Sequence, residues 1–146
     1  MNIYQHTQRS LLLLIIIIFV ICFMIFLMYR FGFNWIGAVV MVLMVCALYL
    51  FNSLTVRVNQ DCIYVAFGPG LIRKKIPINT IKFTGKVRNK WYYGFGIRLI
   101  PGGQMYNVAG LDAIELKLTN GKIFRIGTDE PDRLLEAIQS QTGERT

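Results

Sequence analysis

The chain has 146 residues, of which 54% are apolar, and a formal net charge of +8 with only 8 acidic side chains. This length is typical of one domain of ordinary size. The cysteines Cys22, Cys46 and Cys62 have neither metal-ligand nor Cys-x-x-Cys spacing, and we interpret them as small apolar residues. These features exclude a disulfide-stapled secreted domain and a cysteine-based zinc site, and we expect neither a metal nor a cofactor.

The first predicted element is an apolar helix. Residues 11–29 carry no charge, and at 1.5 Å per residue they extend about 28 Å, close to the thickness of a hydrocarbon core. Isoleucine and leucine cover every face of this helix, whereas a helix of a soluble protein would show a polar stripe. A signal peptide is disfavoured, because the sequence RFGFN that follows offers no small-residue cleavage site. We therefore predict a transmembrane helix.

A second uncharged run, residues 35–51, is at the short end for a membrane span. Aromatic side chains lie near the ends of the two runs, where they suit the membrane interface. We predict two transmembrane helices within residues 11–52, joined by a short turn at residues 30–34. The preceding segment, residues 1–10, contains the single histidine, His6, which we place in a mobile terminus and to which we assign no role.

The positively charged side chains predict the orientation of this hairpin. Arg30 is the only cation between the two runs, whereas Arg9 precedes the first run, Arg57 follows the second, and further cations come later. Because positive side chains near membrane spans favour the cytoplasm, we expect both termini to be cytoplasmic and the chain to be integral to the plasma membrane.

After the second run, the apolar pattern changes to a period of two, which is typical of β-strands. With a turn at residues 60–61, this alternation predicts that Val58 lies opposite Ile63 and that Val56 lies opposite Val65. Further strands are predicted at residues 71–76, 80–86, 96–100 and 104–108.

The sequence AIELKLTNGKIFRIG predicts another strand hairpin. A two-residue loop would place Arg125 opposite Leu116 on the core face, and burying a guanidinium is costly. A three-residue loop at residues 119–121 places Leu116 opposite Phe124 instead, with Gly121 in the left-handed conformation of a bulge. We prefer this register, in which Phe124 is a core residue and removal of the Arg125 side chain costs little stability.

An amphipathic helix follows this hairpin. Thr128 or Asp129 is expected to cap it, and Glu130 and Asp132 are expected in its first turn, where the helix dipole favours anions. The residues that share its apolar stripe are Leu134, Leu135 and Ile138.

Three segments carry a resemblance to a known family: WYYGFGIRLIPGGQMYNVAG at 91–110, AIELKLTNGKIFRIGTDEP at 113–131 and DRLLEAI at 132–138. With the N-terminal hairpin, they make the chain resemble bacterial small membrane proteins described as PH domain-containing. The resemblance implies an α+β membrane protein of the bacterial inner membrane. A transmembrane α-hairpin would be followed by a pleckstrin-homology-like (PH-like) domain at residues 53–141 and a tail at residues 142–146.

In a PH-like domain, a small antiparallel barrel or two orthogonal antiparallel sheets are capped by a C-terminal helix. The family has no defined activity. PH domains that bind phosphoinositides place several cations around their first hairpin, whereas this chain has Asp61 in that turn and Arg57 as the only cation nearby. Inositol-phosphate recognition is therefore not carried over from the resemblance.

The stretch NKWYYGFGIRLIPGG, residues 89–103, combines aromatic residues with glycines. Its GFG fails as a dinucleotide fingerprint, because Leu99 stands at the third glycine position. It also fails as an RNA-binding strand, because Ile97 and Ile100 replace aromatics that would stack on bases. We expect no nucleic-acid partner. The stretch is either a structural corner that leads into a strand or part of a functional edge.

The charge distribution favours a functional edge. No acidic residue occurs between Ile63 and Leu111, and this region holds cations beside a run of aromatics. Beneath a membrane, such an edge suits an anionic leaflet, and an acidic partner protein is the other interpretation. The candidate membrane- or partner-facing residues are Arg73, Lys74, Lys75, Lys82, Lys86, Arg88, Lys90, Trp91, Tyr92, Tyr93 and Arg98.

The sequence contains no Ser–His–Asp set, no HExxH motif and no P-loop, so we do not expect an enzyme. We expect a membrane-anchored binding or scaffold module that engages a protein partner or an anionic lipid surface. The alternative is an accessory subunit of a larger membrane protein complex, assembled through its helices. The oligomeric state is left open.

Overall fold

The computed structural model describes residues 2–143, so Met1 and the predicted tail positions 144–146 lie outside the described residues. The described chain has an α+β fold with three α-helices and nine strands. In chain order these are β1 (Asn2–Arg9), α1 (Leu11–Phe31), α2 (Trp35–Phe51), β2 (Ser53–Asn59), β3 (Cys62–Phe67), β4 (Ile72–Pro77), β5 (Ile81–Arg88), β6 (Gly96–Ile100), β7 (Gly103–Asn107), β8 (Asp112–Leu118), β9 (Ile123–Gly127) and α3 (Pro131–Thr142).

Both apolar helices begin at a side chain that caps them. The Ser10 hydroxyl accepts a hydrogen bond from the Leu13 amide at 3.1 Å, and Asn34 Oδ1 accepts one from the Ile36 amide at 2.8 Å. Among the described helices, only α1 is long and apolar enough to cross a membrane, with a mean hydropathy of 3.6 over its most apolar window. α1 carries one charged residue, Arg30, in its last turn, whereas α2 carries none but has 17 residues, which is short for a span.

The first sheet has the strand order β1-β2-β3-β4, and all its neighbours are antiparallel. The predicted register of β2 and β3 is confirmed, since Val56 lies opposite Val65 and Val58 lies opposite Ile63. Strand β4 begins and ends one residue later than predicted. The inner side chains of β2 and β3 are fully buried or nearly so.

Strand β1 was not predicted, and the expectation of a mobile N-terminal segment is wrong for its described residues. Helices α1 and α2 return the chain to its starting point, where the Ser10 amide donates to the Asn52 carbonyl at 2.9 Å. The two flanking segments then pair as neighbouring strands, with Arg9 opposite Ser53. β1 thereby covers an edge of β2 that would otherwise lack hydrogen-bonding partners.

The second sheet has the order β5-β8-β9-β7-β6. The predicted register of β8 and β9 is confirmed, with Leu116 opposite Phe124. Residues 119–121 form the loop, because the Leu118 amide donates to the Lys122 carbonyl at 2.9 Å. Gly121 has a φ of +78°, the left-handed conformation that the bulge requires.

One pairing in this sheet contradicts the expectation of purely antiparallel strands. β7 and β9 are parallel neighbours, with Gln104 opposite Phe124. β7 and β8 follow one another in the chain and run in opposite directions, but β9 lies between them. Because β9 is antiparallel to β8, it must be parallel to β7.

The core lies between the two sheets and beneath α3. Phe67 of the first sheet contacts Tyr106 of the second, at 5.3 Å between ring centroids, and Tyr106 contacts Phe124 at 4.9 Å. From α3, Leu134 and Ile138 are fully buried against this layer. Burying each such aliphatic side chain stabilises the fold by about 1.5–3 kcal/mol.

The start of α3 differs from the prediction. Pro131 occupies the first helical position, which leaves Thr128 and Asp129 outside the helix, and Glu130 at the N-cap position makes no capping hydrogen bond with its side chain. Instead, the Thr128 hydroxyl accepts from the Glu130 amide at 3.1 Å. Of the expected acidic residues, Asp132 does lie in the first turn.

Candidate binding surface

Two strands of the first sheet adjoin the apolar helices in the chain: β1 leads into α1, and β2 follows α2. We call the region around Ser10 and Asn52, where α1 begins and α2 ends, the helix base. The Gly68 amide in the β3–β4 turn donates to the Ser53 carbonyl at 2.9 Å. A Cβ at Gly68 would lie 2.7 Å from the carbonyl oxygens of Leu50 and Tyr49, so only glycine lets this turn approach the end of α2.

The outer face of the first sheet carries part of the predicted basic edge. Arg57, Tyr64 and Lys75 form a row across β2, β3 and β4, and Arg73 lies in the next row toward the helix base. We call these four residues the basic sheet face. They line a shallow cavity of about 610 Å³, and none of its described lining residues is acidic.

Within the basic sheet face, Lys75 Nζ lies 5.3 Å from the centroid of the Tyr64 ring. A hydrogen-bonding interaction with Tyr64 raises the pKa of Lys75 above its ordinary value. Arg57 was not among the predicted site residues. The predicted β2–β3 register could have identified it, because the pairing of Val56 with Val65 also places Arg57 opposite Tyr64.

The other predicted cations of this region are dispersed. Lys74 lies at the rim of the same cavity and also lines a second one of about 360 Å³, together with Leu99 and Lys122. Lys82 and Arg88 are exposed on β5, which belongs to the other sheet. The cations of β4 and β5 therefore do not form one continuous row.

Lys86 on β5 faces an acid that is distant in sequence. Its Nζ lies 2.7 Å from Asp132 Oδ1 in the first turn of α3. The segment between Ile63 and Leu111 contains no acidic residue, but the fold thus brings an acidic residue from α3 next to it. An exposed pair of this kind contributes little to stability, about 0–1 kcal/mol, but it lowers the positive charge of this edge.

Residues 89–95, which we call the strap, cross the outer face of the second sheet. They join β5 and β6, which are the two edge strands of that sheet. The Asn89 amide donates to the Leu111 carbonyl at 2.6 Å, and Arg125 Nη1 donates to Asn89 Oδ1 at 3.4 Å. Met105 of β7, which lies opposite Arg125, is fully buried on the same sheet.

The neighbourhood of the strap corrects one expectation. Arg125 was placed in solvent, but its side chain is only 21% exposed and its Nη2 lies 2.7 Å from Glu115 Oε2. The Glu115 side chain is 11% exposed. Arg125 is therefore the counter-ion of a nearly buried carboxylate, which argues against the expectation that its removal costs little stability.

The predicted aromatic residues Trp91, Tyr92 and Tyr93 form a short helical turn within the strap. Trp91 and Tyr92 are exposed, at 81% and 57%, and Tyr93 is half-buried. Lys90 Nζ lies 5.6 Å from the Tyr92 ring centroid, and Arg98 Nε donates to the Phe95 carbonyl at 3.1 Å.

Beyond the strap, an apolar groove of about 340 Å³ separates the start of β6 from the helices. Its lining residues are Leu13 and Ile17 of α1, Ala47 and Phe51 of α2, and Phe95, Gly96 and Ile97.

A polar cluster missed by the sequence prediction joins β1 to the start of α3. His6 Nε2 lies 2.8 Å from Asp129 Oδ1, and His6 Nδ1 lies 3.6 Å from Glu130 Oε2. The Tyr4 hydroxyl donates to Glu130 Oε2 at 3.4 Å. Burial, followed by the negative charges of Glu130 and Asp129, raises the pKa of Tyr4 to about 12.

Within residues 2–143, histidine, cysteine and acidic side chains form no group of three or more that could hold a metal ion. Comparisons with models of known families, with curated proteins and with solved structures found no match to this chain.

Proposed function

We propose that this chain is a membrane-anchored, non-enzymatic binding module. A two-helix hairpin holds its domain at the cytoplasmic face of the bacterial inner membrane, and the basic sheet face engages anionic lipid headgroups of that leaflet. An acidic protein partner at the same face is the competing outcome of the test below.

The pairing of β1 with β2 supports the hairpin. Because Arg9 lies opposite Ser53, the segments before α1 and after α2 must lie on the same side of a membrane that both helices cross. Most large side chains of α1 and α2 are exposed and apolar, as contact with lipid requires. The single cation between the helices, Arg30, against many in the domain favours the cytoplasmic side for the domain.

The position of the basic sheet face relative to the helix base carries the proposal. Its cavity is also lined by residues 68–70, and the Gly68 backbone abuts the end of α2. Arg73 lies in the row of Thr55, about 7 Å along the strand from Ser53, and Arg57 lies about 13 Å along it. A headgroup layer is about 5–8 Å deep on each side, so Arg73 would lie at headgroup depth and Arg57 about 5–8 Å beyond it, within a Debye length of about 10 Å at 0.1 M salt.

We also propose that the domain is PH-like. Two stacked sheets and a C-terminal helix that covers the core support this assignment. Two features depart from the expected pattern: β1 precedes the helices in the chain, and β7 and β9 are parallel. The alternative of an accessory subunit assembled through its helices has less support. Gly37, a small residue that would let another helix approach, faces the chain's own α1, since a Cβ at this position would lie 3.5 Å from Met24 Cε and 3.8 Å from Met28 Sδ.

Lipid selectivity tests the proposal. The full chain would be reconstituted into bilayers that contain spin-labelled anionic or zwitterionic lipid, and the fraction of motionally restricted lipid would be measured for each. We expect a preference for anionic lipid that weakens with salt, because the Debye length falls from about 10 Å at 0.1 M to about 3 Å at 1 M. Changing Arg57, Arg73 and Lys75 to Gln should reduce the free energy of this preference for anionic lipid by up to about 3 kcal/mol, at about 1 kcal/mol per cation.

The matched control changes Lys117 and Lys122 to Gln, because both are exposed cations outside the basic sheet face. This variant should keep the preference of the unmodified chain. Equal restriction of anionic and zwitterionic lipid by the unmodified chain at low salt would reject lipid headgroups as the ligand and leave an acidic protein as the candidate.

A further inference from the structure

The apolar groove lies alongside the helices rather than at their ends. Ile17 is six residues into α1, about 9 Å along its axis from Leu11, and Ala47 is four residues before the end of α2, about 6 Å from Phe51. Ile17 is the one residue of α1 that is buried, at 8% exposure. The start of β6 therefore reaches past the helix base, to a level within the apolar helical segments.

The chain segment that leads into β6, beside the groove, is apolar at its surface. Trp91 is 81% exposed, and Ile97, which lines the groove, is 38% exposed. Residues 91–97 carry no charge, and cations flank them: Lys90 precedes Trp91, and Arg98 follows Ile97 and donates to the Phe95 carbonyl. Aromatic and aliphatic side chains flanked by Lys and Arg are typical of segments that lie in a membrane interface.

The lining of the groove indicates what kind of molecule would occupy it. About half of its lining belongs to α1 and α2, whose neighbouring surfaces are the exposed apolar faces that the proposed hairpin presents to lipid. The apolar surface therefore continues from the helices onto β6 without a polar boundary between them. A hydrocarbon chain that covers the helices at this level would also fill the groove.

We propose that residues 91–97 enter the same leaflet beside the hairpin as a third membrane contact, and that a lipid acyl chain fills the groove between β6 and the helices. This inference rests on the proposed function in one respect, namely that the hairpin spans the membrane. It differs from attraction at the basic sheet face, because it depends on apolar burial and not on lipid charge.

The two tryptophans of the chain give separate readouts. Trp35 begins α2 at the far end of the hairpin, and Trp91 lies in the strap. The full chain carrying Trp35→Phe would be reconstituted into neutral phosphatidylcholine bilayers with bromine at defined depths along the acyl chains. We expect quenching of Trp91 by bromine near the headgroups and protection of Trp91 from aqueous acrylamide.

The Trp91→Phe chain, in which Trp35 remains, reports on the hairpin alone. Lipid quenching of Trp35 with exposure of Trp91 to acrylamide would overturn the third contact and leave the anchor intact. Loss of lipid quenching for both tryptophans would overturn the proposed membrane anchor itself. Protection of Trp91 from both quenchers would mean that protein covers it, which also overturns the inference.

Variants in the groove complete the test. In the Trp35→Phe background, Phe95→Ser and Ile97→Ser together should reduce lipid quenching of Trp91 toward its level in unbrominated bilayers. The matched control is Phe83→Ser, because Phe83 is an exposed apolar residue of the edge strand β5, away from the groove, at 49% exposure. Unchanged quenching of Trp91 in the groove variant would reject the acyl-chain site.

Discussion

The ion pair of Arg125 with Glu115 illustrates how burial changes the role of a charged residue. Both side chains project from the outer face of the second sheet, where charges are normally solvated, but the strap reduces their exposure to 21% and 11%. Glu115 Oε2 accepts from both Arg125 Nε and Nη2, at 2.8 Å and 2.7 Å. Removing the guanidinium would leave a nearly buried carboxylate without a counter-ion.

We predict that Arg125→Ala destabilises the protein by about 2–3 kcal/mol, because a charge that loses its buried partner keeps its desolvation cost. Denaturant unfolding in detergent measures this effect. Lys117→Ala on β8 is the control and should change stability by less than about 0.5 kcal/mol, because its side chain is exposed. Equal unfolding midpoints for the two variants would contradict the role assigned to the pair.

Tyr4 gives a prediction that depends on pH. Its pKa is raised in the folded state to about 12 from an ordinary value of 10.0, so the unfolded chain loses this proton more readily. The contribution of Tyr4 to stability is therefore complete below pH 10 and is lost as the pH rises from 10 to 12. Unfolding of Tyr4→Phe should depend less steeply on pH in this window than unfolding of the unmodified chain. Parallel pH profiles for the two proteins would rule out this linkage.

At the scale of elements, strand β1 must be kept in any version of the domain made without its helices. It contributes the buried Gln8, whose Nε2 donates to the Gly127 carbonyl at 2.5 Å, so it links the first sheet to β9. A fragment that starts at residue 53 lacks this strand. Strands β1 and β2 can instead be joined directly, because Arg9 lies opposite Ser53.

We predict that replacing residues 10–52 by Asn-Gly yields a folded, soluble domain, because this dipeptide favours the two-residue turn of a strand hairpin. The fragment of residues 53–146 should be poorly folded or aggregate, since it exposes the edge of β2. Dispersion of amide signals in NMR spectra compares the two. A well-dispersed spectrum from the fragment would mean that β1 is dispensable.

The elements differ in how far the sequence can predict them. Strands β2, β3, β8 and β9 alternate apolar and polar residues, and their short turns determine the register locally. β1 could not be found this way, because Gln8 and His6 on its inner side are polar and bond to Gly127 and Asp129. Its partner strand also lies beyond two helices in the chain.

The same distinction applies to the candidate site. The row of Arg57, Tyr64 and Lys75 follows from local strand pairing, although only Lys75 was among the predicted site residues. The contact of Lys86 with Asp132 and the cover over Arg125 depend on how α3 and the strap cross the second sheet. Such crossings are set by packing between distant segments, about which hydrophobic periodicity carries no information.

At the scale of the whole molecule, one charged substitution in α1 tests the proposed membrane anchor. We predict that Ile16→Arg weakens stable insertion, because an arginine in a spanning helix costs up to about 2.5–3.5 kcal/mol at its centre and Ile16 lies five residues into α1. The measurement is the fraction of protein that stays with membranes after extraction at alkaline pH. Ile3→Arg is the control, since Ile3 is exposed on β1 and outside the helices. Equal retention of both variants would refute α1 as a membrane span.

The pairing of Arg9 with Ser53 has a consequence for biogenesis. If only one of the two helices crossed the bilayer, β1 and β2 would emerge in different compartments and the first sheet would lack its outermost strand. The chain would then have no partner for Gln8 or His6, and its domain would be open to proteolysis. If the proposed hairpin spans the membrane, completion of the sheet would thus act as a check on topology, because only molecules with both helices inserted could finish folding.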